Sequence, residues 1–220
     1  LTTRRQRQMC IRDRYKNSVQ HGLWVSWTGL DMKKSEETYV NGVLDGEVVM
    51  WHTNGYKDRE GIVRGKQKEG NWTYYNGDGS VDFKFDYGTG LERVRISELE
   101  ARDNIYYKIG KYRPYSGIVT ESGGIKDYLL LGRFKSGKRD GQWVQWYRNG
   151  NKEVDGVYYR GKRHGKWSLW YEDGTMKENG EFEMGEINGT YKYWYNNGHL
   201  HMEQSYQNGK PNGKWTWWYE

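Results

Sequence analysis

The sequence predicts an all-β fold: tandem antiparallel β-hairpin repeats forming an elongated, twisted, single-layer sheet or solenoid. Three observations predict it. Gly141, Gly165, Gly189 and Gly213 stand 24 residues apart, a further step back reaches Gly117, and a second register runs Gly22, Gly46, Gly70. With each of these as position 0 of a repeat, eleven of the 12 Trp fall at position 2 or 5. Asn54-Gly55, Asp78-Gly79, Asn149-Gly150, Asp173-Gly174 and Asn197-Gly198 then occupy positions 8 and 9. Self-similarity at a fixed period of this length marks a repeat architecture.

The first strand carries Trp24, Val48, Trp72, Val119, Trp143, Trp167, Tyr191 and Trp215 at position 2. Position 5 holds Trp27, Trp51, Tyr75, Ser122, Trp146, Trp170, Trp194 and Trp218. The Asn-Gly or Asp-Gly that follows reads as a two-residue type I′ turn, which needs φ > 0 at both central residues. The second strand runs through Tyr39, Val63, Tyr87, Phe134, Tyr158, Phe182 and Tyr206 at position 17. A second turn follows at Gly42, Gly90, Gly137, Gly161, Gly185 and Gly209 (position 20), with Gly65 one residue early. A lone hairpin is marginal in water. Stability must come from stacking one repeat on the next.

The turn fixes the faces. A two-residue loop pairs position 5 with 12, 4 with 13 and 2 with 15, and directly opposed residues share a face. Trp143 then lies across from Gly156 and Trp167 across from Gly180. Rings over bare glycine backbone make this the expected core face. It comprises Trp24, Trp72, Trp143, Tyr147, Tyr158, Trp167, Tyr171, Phe182, Tyr191, Tyr195, Tyr206 and Trp215. On the other face Trp146 meets Glu153 and Asp155, and Trp170 meets Lys177 and Asn179. A bulge in the first strand would overturn this assignment.

Residues 91–116 break the period. Ser97-x-x-Glu100 has the form of a capping box opening a short helix, SELEARD, and IYYKI after it reads as a strand. The expected organisation is a first array over 15–90, a connecting segment over 91–116 and a second array over 117–220. Both ends read as truncated, because stacked arrays normally finish in atypical polar caps. Residues 1–14 have no period and read as a non-native or disordered tail; RRQRQMCIRDR resembles a translated sequencing-adapter scar.

Composition narrows the function classes. Aromatics reach 16% while Pro numbers only 2, which suits short strands and tight turns rather than disorder. The net charge of +6 is mostly a property of the tail, which holds five Arg and one Asp; the rest carries 30 basic and 28 acidic residues, so no nucleic-acid partner is expected. Cys10 is the sole cysteine, so neither a disulfide nor a Cys-based metal site forms within the chain. No stretch approaches the ~20 apolar residues of a membrane helix. The compartment, cytoplasmic or exported, stays open.

The pattern GxWxxWYxNG…GxYxxGKxxG resembles the MORN-repeat variant of the YwqK-like bacterial family of toxin–antitoxin antitoxins, and ISELEARDNIYYKIGKYRPYSGIVTESGG is similar to a lead-in found there. The resemblance covers about 22–220. It implies a hairpin-repeat fold, a protein- or lipid-binding role and no catalytic set. Departures are Val48, the Gly65 slip and the degenerate turns near Gly29 and Gly123.

Two surfaces are candidates for binding. Trp51, Trp146, Trp170, Trp194 and Trp218 would form a ladder of rigid indoles about 10 Å apart, able to grip a peptide, glycan or headgroup. The competing reading makes them pillars packed on Lys and Glu stems. Lys138, Arg139, Lys162, Arg163, Lys166, Lys210 and Lys214 would form a basic turn edge, interrupted by Glu186. His199, His201 and Glu203 alternate onto one face, but two such histidines alone are a weak metal signal, and no metal or cofactor is expected. No G-x-S-x-G, P-loop or dinucleotide fingerprint is present, and no catalytic residue is assigned. The leading expectation is a monomeric, non-enzymatic protein-binding scaffold, antitoxin-like if the resemblance extends to function. The alternatives are a cell-envelope or membrane-surface module recognising lipid headgroups or glycans, and a structural spacer.

Overall fold

The computed structural model describes residues 15–28, 32–123 and 129–219. The tail 1–14 with Cys10, the turn at Gly29 and the terminal Glu220 lie outside the described residues. The chain forms two compact units, one within residues 1–90 and one within 91–220.

The first unit holds a small hairpin, β1 (Tyr15–Lys16) and β2 (Val19–Gln20). A six-stranded antiparallel sheet follows in chain order: β3 (Gly22–Trp27), β4 (Lys33–Val40), β5 (Val43–Trp51), β6 (Lys57–Arg64), β7 (Gln67–Tyr75) and β8 (Val81–Asp86). The second unit begins with β9 (Arg93–Arg95), a single 3-10 turn (Ile96–Glu98) and a hairpin of β10 (Leu99–Arg102) with β11 (Ile105–Lys108). The repeats follow as β12 (Gly117–Glu121), β13 (Leu130–Lys135), β14 (Lys138–Arg139), β15 (Gly141–Trp146), β16 (Lys152–Tyr159), β17 (Lys162–Trp170), β18 (Met176–Glu183), β19 (Glu186–Ile187), β20 (Gly189–Trp194), β21 (Leu200–Gln207) and β22 (Lys210–Trp217). These and β9 make a separate 12-stranded sheet, antiparallel except where β9 runs parallel to β12.

The helix expected at SELEARD does not form. The Glu98 carboxylate accepts a bond from the Arg95 backbone N–H at 2.9 Å, closing only one 3-10 turn. The chain then extends, because Ile96, Leu99 and Tyr106 pack on a cluster of Val94, Tyr115, Val119, Leu130, Phe134 and Trp143. Asp103 and Asn104 both take positive φ (49° and 61°) between the paired Arg102 and Ile105. Asp-Asn between two strand-like runs was the signal for a hairpin rather than a helix.

The turn at positions 8 and 9 is not the two-residue type I′ turn expected there. At Asn149-Gly150 only the glycine has positive φ, at 89°. Gly150 N–H donates to the Tyr147 carbonyl (3.0 Å) and Tyr147 N–H to the Asn151 carbonyl (2.8 Å). This is a three-residue loop in which a left-handed glycine ends the turn. It shifts the register by one, so Trp146 pairs with Lys152 rather than Glu153. One extra residue in the second strand restores the register, and Gln145 pairs with Val154 and Trp143 with Gly156. The same bulge recurs at Lys34, Asp58, Asp82, Lys177 and His201.

The two-residue type I′ turns stand at positions 19 and 20 instead. Arg160-Gly161, Met184-Gly185 and Asn208-Gly209 have positive φ at both residues. The Gly65 slip is thereby accounted for. Gly65 and Lys66 are also both left-handed (54° and 72°), and the glycine takes the first of the two places. Met184 sits at φ 50° with no short polar group to ease it. Met184→Asn should raise stability by about 0.5–1 kcal/mol, read as the urea midpoint of unfolding at unchanged slope.

Candidate interaction surfaces

On one face of the second sheet the rings form a chain of edge-to-face contacts. Centroids are 5.8 Å apart for Phe134–Trp143, 5.7 Å for Trp143–Tyr158, 4.8 Å for Tyr158–Trp167 and 6.5 Å for Trp167–Phe182. Trp72, Trp143, Trp167 and Phe182 are buried. Trp24, Tyr158, Tyr191 and Tyr206 are half-buried.

The rings lie on glycine backbone, but not on the glycine each is paired with inside its hairpin. A Cβ on Gly132 would overlap Trp143, one on Gly156 would overlap Trp167, and one on Gly61 would overlap Trp72. Each ring leans back over position 15 of the preceding repeat. There the ladder is open: Asp155 pairs with Ser168 and Val157 with His164, leaving Gly156 opposite three residues. The indole closes the gap. Trp167 Nε1–H donates to the Val157 carbonyl at 3.0 Å, and Trp72 Nε1–H to the Ile62 carbonyl at 2.9 Å.

This contact is matched in size. Where position 15 is Glu37 rather than Gly, the following position 2 is the small Val48. One repeat breaks the match: Gln204 is buried in the glycine place, and Trp215, expected in the core, is 49% exposed beside it. Gln204→Gly should let Trp215 fold down, shifting its fluorescence to the blue. The net gain should be about 1 kcal/mol, indole burial outweighing the entropy glycine loses. An unshifted spectrum would separate the exposure of Trp215 from Gln204.

Two cations expected on the basic edge belong to this ring face. Arg139 lies 4.8 Å from the Trp143 centroid and 5.2 Å from Tyr158, whose hydroxyl accepts from its Nη1 at 3.0 Å. Arg163 lies 4.7 Å from Trp167 and 5.3 Å from Phe182. Lys68 holds the same place over Trp72 at 4.7 Å. Each covers the ring four residues on in the chain, where it gains cation–π attraction and shields apolar surface.

The opposite face carries the position-5 row, and Trp146 leaves the candidate surface. It is 5% exposed on a patch shared with buried Leu131, Val144 and Ile118. Trp51, Trp170 and Trp194 are half-buried, and Trp218 is 40% exposed. The corrected register sets long stems rather than acids between them. Lys33 stands 4.9 Å from the Trp51 ring and Lys152 5.5 Å from Trp170, while Met176 and Leu200 pair with Trp170 and Trp194. The lysines are held by carboxylates three residues on, Lys33 by Glu36 at 2.6 Å and Lys152 by Asp155 at 2.8 Å.

Tyr147, Tyr171 and Tyr195 are half-buried fasteners between repeats. Their hydroxyls donate to the carbonyls of Trp170 (3.0 Å), Trp194 (2.9 Å) and Trp218 (3.2 Å), each 23 residues on. Burial, with the Tyr193 hydroxyl beside it, pushes Tyr171 up to about 12, so this hydroxyl remains a donor across the ordinary pH range. Asn149 Nδ2–H reaches the Glu172 carbonyl in the same sense at 2.7 Å. His201 occupies a bulge, its ring 4.2 Å from Tyr195, while Glu203 pairs with Lys192 at 3.1 Å. The bulge breaks the alternation that would have aligned His199, His201 and Glu203. Among the described residues no group of three His, Cys, Asp or Glu is placed to hold a metal ion.

At the type I′ edge Lys138, Lys162, Lys166, Lys210 and Lys214 are exposed. Lys135 and Arg160, also exposed there, were missed by counting only from the turn glycine onward. No helix among the described residues is long and apolar enough to cross a membrane. No curated protein matches the chain. Two adjacent repeats of the second unit, residues 163–184 and 187–208, match the family model described as the MORN repeat variant.

Proposed function

We propose that this chain is a non-enzymatic, protein-binding repeat scaffold. MORN repeats generally serve as protein- or membrane-binding modules. The observation that carries the reading is the position-5 row: Trp170, Trp194 and Trp218 recur on one sheet face, partly open to solvent, with Lys, Met and Leu stems between them. Rigid indoles recurring along one sheet face suit a protein surface better than a small substrate, which needs a concave site. Trp51 extends the same pattern to the first unit.

The test is a pair of variants against the protein encoded by the neighbouring gene. Trp170→Ala and Trp194→Ala should each cost less than about 2 kcal/mol of stability, since both rings are only half-buried, yet abolish co-purification. Retained binding, or a stability loss on the scale of a core Trp, would make the row structural. The finer reading, a scaffold that neutralises a toxin, is supported by the resemblance of GxWxxWYxNG to the antitoxin repeats. Its test is growth rescue on co-expression.

A second reading, a surface module for lipid headgroups or glycans, is favoured by Trp217 and Trp218, 51% and 40% exposed, which follow exposed Lys214 by three and four residues. Unchanged Trp fluorescence on adding anionic vesicles or wall glycans would eliminate it.

A further inference from the structure

The type I′ turns of the second unit are stacked into one continuous edge. Gly161 N–H donates to the Arg139 carbonyl (2.8 Å), Gly185 N–H to Arg163 (2.8 Å) and Gly209 N–H to Ile187 (3.0 Å). Side chains repeat the stacking. The Lys138 stem lies against Gly161, Lys162 against Gly185 and Glu186 against Gly209. Charges therefore line up along this edge in a defined order. The first turn presents Lys135 and Lys138, the second Arg160 and Lys162, the third Glu183 and Glu186, all exposed. None of the four cations is in an ion pair among the described residues. Over these three turns the edge reads plus, plus, minus, at intervals of two strands, about 10 Å, and the fourth turn adds a single cation, exposed Lys210.

From this order we infer that the edge docks an extended, charge-patterned segment of a partner protein, with acidic residues facing the first two turns and a basic residue facing the third. The inference rests on the scaffold reading above and names how a partner would be chosen. An extended chain in the polyproline II conformation advances about 3.1 Å per residue with three residues per turn, so side chains three apart face the same way about 9 Å from one another, close to one turn-to-turn step. The matching pattern is Asp/Glu-x-x-Asp/Glu-x-x-Lys/Arg. A uniformly anionic partner fits less well. A lipid leaflet or a phosphate backbone would set its charge against Glu183 and Glu186 within about a Debye length of the cations it seeks. Like charges so placed select against a wrong partner as firmly as opposite charges select for the right one.

The probe is a labelled Gly/Ser peptide carrying Asp, Asp and Arg at positions 1, 4 and 7, titrated by fluorescence anisotropy to millimolar concentration at low salt. Its control has the same composition in the order Asp, Arg, Asp, and vesicles of phosphatidylserine form a third arm. The first peptide should bind at least fivefold tighter than its control. Arg160→Glu with Lys162→Glu, both on an exposed turn, should abolish that preference and favour a peptide ordered Asp, Arg, Arg. Equal binding of the two peptides would overturn the inference. Vesicle binding that Glu183→Lys leaves unchanged would also overturn it, in favour of a membrane. If the neighbouring-gene product binds and survives the charge reversal, the scaffold stands and this docking edge falls. If that product does not bind while the peptide order still matters, the Trp-row reading falls alone.

Discussion

Trp167→Ala should lower the stability of the second unit by about 3–5 kcal/mol, read as a fall in the urea midpoint. The ring is 2% exposed and touches Tyr158 on one side and Phe182 on the other. Its loss opens a cavity over Gly156, removes the nearer of the two rings that Arg163 covers and leaves the Val157 carbonyl without its indole donor. The damage should spread in both directions, because a repeat array is held by nearest-neighbour interfaces. Hydrogen-exchange protection should fall in β16, β17 and β18 together. Loss confined to β17 would show that the rings do not couple the repeats. Trp170→Ala on the other face is the internal contrast, since its ring has stems beside it rather than glycine beneath it.

The period of this fold was legible because two residue types with stringent physical roles recur in it. Glycine marks the backbone places where φ is positive, and Trp marks the rings that cover bare backbone. The register between Trp143 and Gly156 was legible too, although its derivation assumed the wrong turn. A two-residue loop without a bulge and a three-residue loop with one give the same pairing beyond Gln145. Only Trp146 and its partner distinguish them. Asn-Gly suits both turns, so the dipeptide alone could not choose. The backbone angles separate the two turns: Ser136-Gly137, Arg160-Gly161 and Met184-Gly185 are left-handed at both residues, as a type I′ turn requires, although Ser136, Arg160 and Met184 give no sequence preference for it.

The surfaces were less legible, for a different reason. Position along a strand gives the face of a side chain, not the direction in which a long one leans. Trp167 has a position-15 glycine on each side, Gly180 in its own hairpin and Gly156 in the preceding one. The open ladder at Gly156 decides between them, and it is a tertiary feature. Arg139 and Arg163 sit one residue past exposed lysines in the same turns, so in sequence they look alike. Strand alternation sends them inward onto the rings and leaves Lys138 and Lys162 outward.

Gly156→Ala is the sharper test of what joins one repeat to the next, because its expected sign is the reverse of the ordinary one. In an unremarkable strand, replacing Gly by Ala stabilises by about 0.5–1 kcal/mol, since glycine has the most freedom to lose on folding. Here the added methyl would overlap the Trp167 ring. The ring cannot withdraw without breaking its bond to the Val157 carbonyl and its contacts with Tyr158 and Arg163. Overpacking and the lost hydrogen bond together should cost about 2–4 kcal/mol. The companion experiment is Trp167→Val, alone and with Gly156→Ala. With the ring gone, the methyl has room, as at the natural pair of Glu37 and Val48. Adding Gly156→Ala to Trp167→Val should then be neutral or favourable, giving a coupling of at least about 2 kcal/mol between the two sites. Additive losses in the double variant would mean that ring and glycine act independently, and that the size match across the repeat interface carries no energy.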